Sequence, residues 1–252
     1  MLGSDFHIPW THPRYMELWW KVMKWYKPDV IDYLGDIDDQ SCVSRWSAGT
    51  PDEILGAIST YSDTVKEFYK QTRDLNPNAQ LFNALGNHDI RIWDYIDKKA
   101  PALVGENYKS GLITPETLWG LDNLGYEYIH YNDRPAHRFG DMYAHHGISI
   151  SKHAGESVRN DIETFLVSMI RGHSHRMGEY NKTLELRNET LRGYEIGHMT
   201  DINSSGMSYT NNHNWQPGFA VATIENGVYP HIQLIHISPD FTCYVNGKKF
   251  SA

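Results

Sequence analysis

The sequence predicts an α/β fold in which a parallel sheet is flanked by helices and the functional site lies at the carboxyl ends of the strands. Two observations predict it. Short apolar runs alternate with longer helical patterns through the first half of the chain, the sign of β-helix-β units. Several of these runs stop at a small polar cluster containing Asp, Asn or His, as loops at the carboxyl edge of such a sheet do when they carry a ligand site.

The elements follow in order. Met1 to Ser4 reads as a strand end, a short lead-in to the first polar cluster; if it anchors Asp5 and His7 poorly, their part of the site is the weaker one. Thr11 to Lys27 reads as an amphipathic helix, with Thr11 as its cap and Pro13 in its first turn. Val30 to Leu34 is an apolar run stopping at Gly35-Asp36. Pro51 to Leu75 is a long helix closed by Asn76-Pro77-Asn78, and Gln80 to Leu85 is the next strand, ending at Gly86-Asn87. Residues 92–124 read mostly as helix and loop. Tyr126 to Tyr131, Ala136 to Phe139 and Asp141 to His145 read as short strands, and Ser151 to Thr164 as loop and helix. Phe165 to Ile170 is a further apolar strand. Lys182 to Ile196 and Gly218 to Ile237 alternate in polarity and carry turn signals, so they read as antiparallel strands; Met177 to Ile237 is expected to supply a second sheet and part of the substrate rim. No repeat, linker or low-complexity tract interrupts the pattern, and residues 1–252 read as one domain.

Composition narrows the function. The chain has 252 residues, 40% hydrophobic and 21% charged, a globular balance. Eight Trp and sixteen Tyr are assigned mainly to core packing. The net charge of −8 and the lack of a long Lys/Arg run disfavour tight binding to duplex DNA through its backbone. Two cysteines far apart, Cys42 and Cys243, make no disulfide framework and fit free thiols in a cytoplasmic setting. Neither a signal-peptide pattern nor a membrane-spanning run is read, so no membrane partner is expected.

Five clusters carry the chemistry: Asp5-Phe6-His7, Gly35-Asp36-Ile37-Asp38-Asp39, Gly86-Asn87-His88-Asp89, His145-His146-Gly147 and Gly172-His173-Ser174-His175. Asp-x-His in an extended segment places both side chains on one side, because strand side chains alternate, and His173-Ser174-His175 repeats the spacing. Mixed imidazole and carboxylate donors without thiolate suit Mn, Fe, Zn or Ni better than Ca or a structural zinc site. The glycines let the backbone turn sharply beside the ions. Either His145 or His146 serves as the ligand in the fourth cluster.

Taken in this order, the clusters resemble the signature of the calcineurin-like metallophosphoesterases, from Asp5 to His175. Trp215 to Phe219 and Gly86 to Arg91 are similar to bacteriophage and prophage members of that superfamily, which places the protein in a host cytoplasm. The resemblance implies a four-layer α-β-β-α sandwich with two mixed β-sheets flanked by helices and a metal site at the strand ends. It implies that Asp5, His7 and His175 hold one metal, that Asp36 bridges, and that Asn87, His146 and His173 complete the second. His146 is chosen because it directly precedes Gly147, as in the family pattern. His88 then faces the substrate phosphate, with Asp39 holding its ring. The cofactor implied is a pair of divalent ions, Mn first, with Fe, Zn, Ni or Mg as alternatives.

Asp38 has no role in the pattern and is assigned to solvent. Arg91 is assigned to a salt bridge or, as a substrate-binding residue, to a phosphate oxygen. Tyr194, His198, Tyr209, His213 and Trp215 are assigned to packing or surface. The expected activity is hydrolysis of a phosphodiester, of a nucleotide or of single-stranded nucleic acid, by a hydroxide bridging the two ions. A phosphomonoesterase is the alternative, and a non-catalytic scaffold on the same fold a further one. The oligomeric state is not legible.

Overall fold

The structure is a computed structural model that describes residues 1–45, 47, 49, 58–103, 108–133, 137–207 and 214–252. In chain order the elements that matter here are β1 (Leu2–Gly3), α1 (Pro13–Tyr26), β2 (Val30–Tyr33), α2 (Ile58–Leu75), β3 (Gln80–Ala84), α3 (Arg91–Lys99), α4 (Pro115–Trp119) and β4 (Tyr126–Ile129). There follow β5 (His137–Phe139), β6 (Met142–His145), α5 (Glu156–Phe165), β7 (Ser168–Arg171), β8 (Met177–Leu184) and β9 (Glu189–Ile196). The chain closes with β10 (Gly218–Glu225), β11 (Tyr229–His236), β12 (Thr242–Val245) and β13 (Lys248–Ser251).

Two mixed sheets form. In the first, β1 to β4 run parallel, and the β10-β11 hairpin is added antiparallel at β1, with Leu2 opposite Ala220. The second has the order β5-β6-β7-β9-β8, parallel at its centre and antiparallel at both edges. One face of each sheet meets the other across a core of Leu2, Leu34, Met142, Ala144, Ile170 and Ala220. The outer face of the first sheet is covered by α1 to α4, whose Leu18, Trp19, Phe68, Tyr69 and Trp119 pack with Tyr33 and Tyr126. The outer face of the second is covered by α5, through Val158 and Ile162 on Met169 and Leu191. The layers are therefore α-β-β-α, as expected, and the aromatics do fill the core: Phe6 stands edge-on to Trp19 at 5.3 Å and to Tyr33 at 5.9 Å.

Local chemistry explains α1. Pro13 takes the first helical position, which makes His12 rather than Thr11 the cap; its imidazole accepts from Arg14 N–H at 3.1 Å. Thr11 instead donates to the Phe6 carbonyl. The buried stripe of Leu18, Trp19, Val22 and Met23 has helical spacing, and Lys27 ends the helix in a left-handed conformation.

Three further expectations need correction. The apolar run at Phe165 is no strand start: Phe165 ends α5, Leu166 caps it at φ 54°, and β7 begins at Ser168. A short apolar run that straddles a helix end cannot be divided by periodicity. Met177 to Ile237 does not build one second sheet, because β8-β9 joins the second sheet while β10-β11 extends the first. The β12-β13 hairpin, not anticipated, lies on α1, with Trp25 against Phe250 at 5.3 Å and Lys21 Nζ donating to the Ser251 carbonyl. Pro51 to Ala57 of the expected second helix, and Ala136, lie outside the described residues. Cys42 and Cys243 are free and buried. No helix among the described residues is long and apolar enough to cross a membrane.

Candidate metal centre

Five loops, leaving the carboxyl ends of β1, β2, β3, β6 and β7, converge between the two sheets' edges. Their backbone is unusual. Asp5, His7, Asp36, His173 and His175 all have φ between 49° and 67°, a region that costs L residues energy and persists where surrounding contacts over-determine it, as at functional sites. This corrects the expectation of extended Asp-x-His segments. Phe6 and Ser174 turn into the protein, and the flanking pairs reach the site from left-handed positions rather than from a strand pleat. Gly35 and Gly147 do have positive φ. Gly86 and Gly172 serve by close approach instead, since a Cβ there would fall on Asp36 Oδ1 and on Ser4 Oγ respectively.

The first loop is firmly held despite the brevity of β1. Asp5 N–H donates to the Gly35 carbonyl at 3.0 Å, His7 N–H to Asp36 at 2.9 Å and Ile8 N–H to Ile37 at 2.8 Å. The expected weakness at Asp5 and His7 is therefore absent.

Two donor groups result. In one, Asp5, His7 and His175 gather: His7 Nε2 lies 3.0 Å from His175 Nε2 and 3.8 Å from Asp5 Oδ1, which is itself 3.1 Å from His175 Nε2. Asp5 Oδ1 is buried with no hydrogen-bond donor aligned on it. In the other, Asp36, His146 and His173 gather, and His146 Nε2 lies 3.2 Å from Asp36 Oδ2, 3.1 Å from His173 Nδ1 and 3.2 Å from Asn87 Oδ1. Asp36 Oδ2 is also 3.8 Å from His7 Nε2, so it stands between the groups. Donors about 2.0–2.2 Å from one ion sit roughly 3–3.5 Å from each other, so the spacings fit cations. His146 belongs to the cluster, whereas His145 turns away toward Asp161, 3.5 Å distant.

The electrostatics agree. Burial opposes ionisation of Asp5 and Asp36, yet the surrounding imidazoles, His175 and His7 at Asp5 and His146 and His88 at Asp36, hold both well below the usual carboxylate range. Burial pushes His173 down to about 3 and lowers His175. His7 is held up at about 10, because its hydrogen bond to Asp39 and the nearby Asp5 and Asp36 carboxylates outweigh its burial. His146 is raised by Asp36 against its own burial. His7 and His146 would have to release these protons to ligate a cation. The donors also aim correctly: His7 Nδ1–H donates to Asp39 Oδ1 at 2.8 Å and His146 Nδ1–H to the Leu34 carbonyl at 2.6 Å, which turns each Nε2 lone pair inward. Buried donors of this type and spacing fit two divalent ions.

Beside the cage, His88 Nδ1–H donates to the same Asp39 Oδ1 at 2.7 Å. Asp39 therefore holds His7 and His88 together, which the sequence did not reveal. His88 Nε2 accepts from Arg91 at 2.9 Å, and Arg91 also donates to the Asp39 carbonyl at 2.7 Å, with its ion pair to Asp39 Oδ2 at 3.6 Å. Burial and the Arg91 charge lower the His88 pKa against the pull of Asp36 and Asp39.

Asp38 is not solvated. It is fully buried and accepts from Trp119 Nε1 at 2.9 Å and Gln40 N–H at 3.2 Å. Burial pushes it up to about 7. Asp89, given no role by sequence, accepts four backbone N–H bonds, from Asp36, Ile37, Asp38 and Gly86, at 2.8–3.0 Å. Burial and the Asp36 charge push its carboxyl up to about 7, while those amide bonds pull the other way. The signal was its place in Gly-Asn-His-Asp; apart from Gly86, its partners lie some fifty residues earlier.

His198 and Trp215 pack on His175, with ring centroids 5.5 and 4.2 Å away, and burial lowers the His198 pKa well below its usual value. Tyr194 packs against the core between the sheets. Tyr209 and His213 lie outside the described residues.

No family model matches the chain. Its sequence is similar to the Gene 54 protein of Mycobacterium phage L5, 26% identical over 253 residues, which cover 97% of this chain and 93% of that protein. The Gene 54 protein of Mycobacterium phage D29 is also 26% identical, over 255 residues with the same coverage. Among solved structures, Chaetomium thermophilum Vps29 matches with a TM-score of 0.49 and 11% identity, covering 95% of this chain and 85% of that one.

Proposed function

We propose that the protein is a dinuclear metal-dependent phosphoesterase of the calcineurin-like type that hydrolyses phosphodiesters of nucleotides or single-stranded nucleic acid. The observation that carries this is Asp36, whose Oδ2 stands 3.8 Å from His7 Nε2 in one donor group and 3.2 Å from His146 Nε2 in the other. Asp5, His7 and His175 would hold one ion and Asn87, His146 and His173 the other, with Asp36 placed to serve both. Mn is the first choice for this oxygen and imidazole set, with Fe, Zn, Ni or Mg as alternatives. Two bound ions polarise the phosphate and lower the pKa of water for attack on phosphorus.

The chain's own residues do the rest. Asp39 fixes the His88 ring through Nδ1–H, so that Nε2 faces the reacting phosphate. Arg91 leaves His88 Nε2 for a phosphate oxygen when substrate enters, which removes its depressing charge from His88. His88 Nε2, freed of Arg91, takes up a proton from solvent and passes it to the leaving oxygen, a task worth about 10²–10⁴-fold. The net charge of −8 favours small or single-stranded substrates over duplex. Residues 1–252 act as one unit, and the phage relatives suggest work in a host cytoplasm.

The test compares bis-p-nitrophenyl phosphate with p-nitrophenyl phosphate, Mn added. The diester is expected to turn over faster; faster monoester turnover makes the protein a phosphatase. His88→Ala is expected to keep both metals and lose about 10²–10⁴-fold in turnover. Two bound metals with no turnover of either ester would reduce the protein to a binding scaffold.

A further inference from the structure

We propose that Arg171 is a positioning residue for the second ion: anchored by Asp161, its guanidinium holds the loops of His146 and His173 in register. This rests on the reading of the site as a two-ion centre and adds to it a residue outside the ligand set. Arg171 ends β7 and is completely buried. Each of its three nitrogens has a different partner. Nη1 donates to Asp161 Oδ2 at 2.6 Å, Nη2 to the Ser149 carbonyl at 2.6 Å and Nε to the Gly172 carbonyl at 3.3 Å. Ser149 lies in the loop that follows His146, and Gly172 directly precedes His173. One rigid fork therefore spans both ligand loops, which a point charge on a flexible stem does not reproduce.

The packing agrees. Gly147, the residue after His146, has φ 99°, and a Cβ there would collide with Arg171 Nη2. Gly172 N–H donates to the His146 carbonyl at 3.1 Å, which closes the contact between the two loops. His146 Nε2 and His173 Nδ1 are thereby kept 3.1 Å apart. Asp161, from α5, holds the fork from the outer layer, and His145 Nε2 lies 3.5 Å from the same Oδ2. A buried Arg–Asp pair is weak evidence for stability, since apolar residues of similar size often serve as well; orienting two ligand loops accounts for it here. The ligands of the first ion have other anchors. Asp5 and His7 N–H groups donate to the Gly35 and Asp36 carbonyls, and Gln216 N–H donates to the His175 carbonyl at 2.9 Å. The far end of the His146 loop has its own tie, from Arg176 Nη1 to the Ser151 carbonyl at 2.6 Å. Loss of the fork should therefore loosen His146 and His173 selectively.

Manganese titration calorimetry tests this, with electron paramagnetic resonance to distinguish coupled ion pairs from single ions. Arg171→Lys keeps a charge for Asp161 but not the fork. Arg171→Met combined with Asp161→Asn removes the fork without leaving a buried charge unpaired. The unsubstituted protein is expected to bind two ions as a coupled pair. Each variant is expected to keep one ion at unchanged affinity and to bind the other about 10–100-fold more weakly, so that at one ion per chain the signal is that of isolated manganese. Adding His175→Ala to Arg171→Lys should then remove the remaining ion, which identifies it as the first. Two ions bound by either variant as tightly as by the unsubstituted protein overturn the role. So does equal weakening of both ions, as general loosening of the fold would cause. Fewer than two ions in the unsubstituted protein overturn the two-ion reading itself and the role with it.

Discussion

At the scale of single residues, the site depends on carboxylates that do two things at once. Asp39 Oδ1 receives both His7 and His88, so Asp39→Asn should damage metal affinity and turnover together. The expected loss of affinity is about 10–100-fold, read by competition with a chelator. An unchanged affinity would confine Asp39 to His88. Asp89 ties the loop after β2 to the loop after β3 through four amides. Asp89→Asn leaves buried N–H groups facing an NH2, at about 1–3 kcal/mol per group, and urea denaturation should register the loss. Asp38 makes the pH prediction. Its folded pKa is about 7 and its unfolded value about 3.9, so between these values the folded state binds the extra proton. This contribution to stability is greatest at the acid end and falls as pH rises toward 7. Asp38→Asn should flatten that slope in chelator-treated protein; an unchanged slope would mean that Asp38 is ionised throughout. The ligand types and spacings were legible in sequence because the chemistry demands them. The burial of Asp38 was not, because its partner Trp119 lies 81 residues away.

At the scale of elements, strands deliver the ligands but do not shape them. The sequence located β1 to β4, β6 and most of the helices, because apolar runs and caps are local signals. It did not reveal that the ligand-bearing loops leave the strands in left-handed conformations, since Asp and His are tolerated there only under tertiary constraint. Nor could it divide Met177 to Ile237 between two sheets, because alternation fixes a hairpin and not its neighbour. Close approach between loops is the controlling feature. A Cβ at Gly172 would fall on Ser4 Oγ and press on Asp5 Oδ2 at 2.6 Å. Gly172→Ala should therefore weaken the site of Asp5, His7 and His175 first. Metal titration should show one strong and one weakened site, and two equal sites would refute the contact.

At the scale of the molecule, the four layers bring loops from two different sheets to one place, so metal ions held there would cross-link the halves of the sandwich. Metals at about 1,000 times their Kd stabilise the native state by about 4 kcal/mol, which for a chain of this size is roughly 10 °C in Tm. Chelation should lower Tm by that order. The fold class was legible before the structure through the succession of strands and clusters, and the four layers through the family resemblance that those clusters carry. The central claim is that Asp36 is shared by two ions. Metal content per chain, measured by elemental analysis after Mn loading and gel filtration, tests it most directly. The expectation is two ions in the wild type and loss at both sites in Asp36→Ala, with bis-p-nitrophenyl phosphate turnover lost alongside. Two ions retained in Asp36→Ala, or none bound by the wild type, would contradict it.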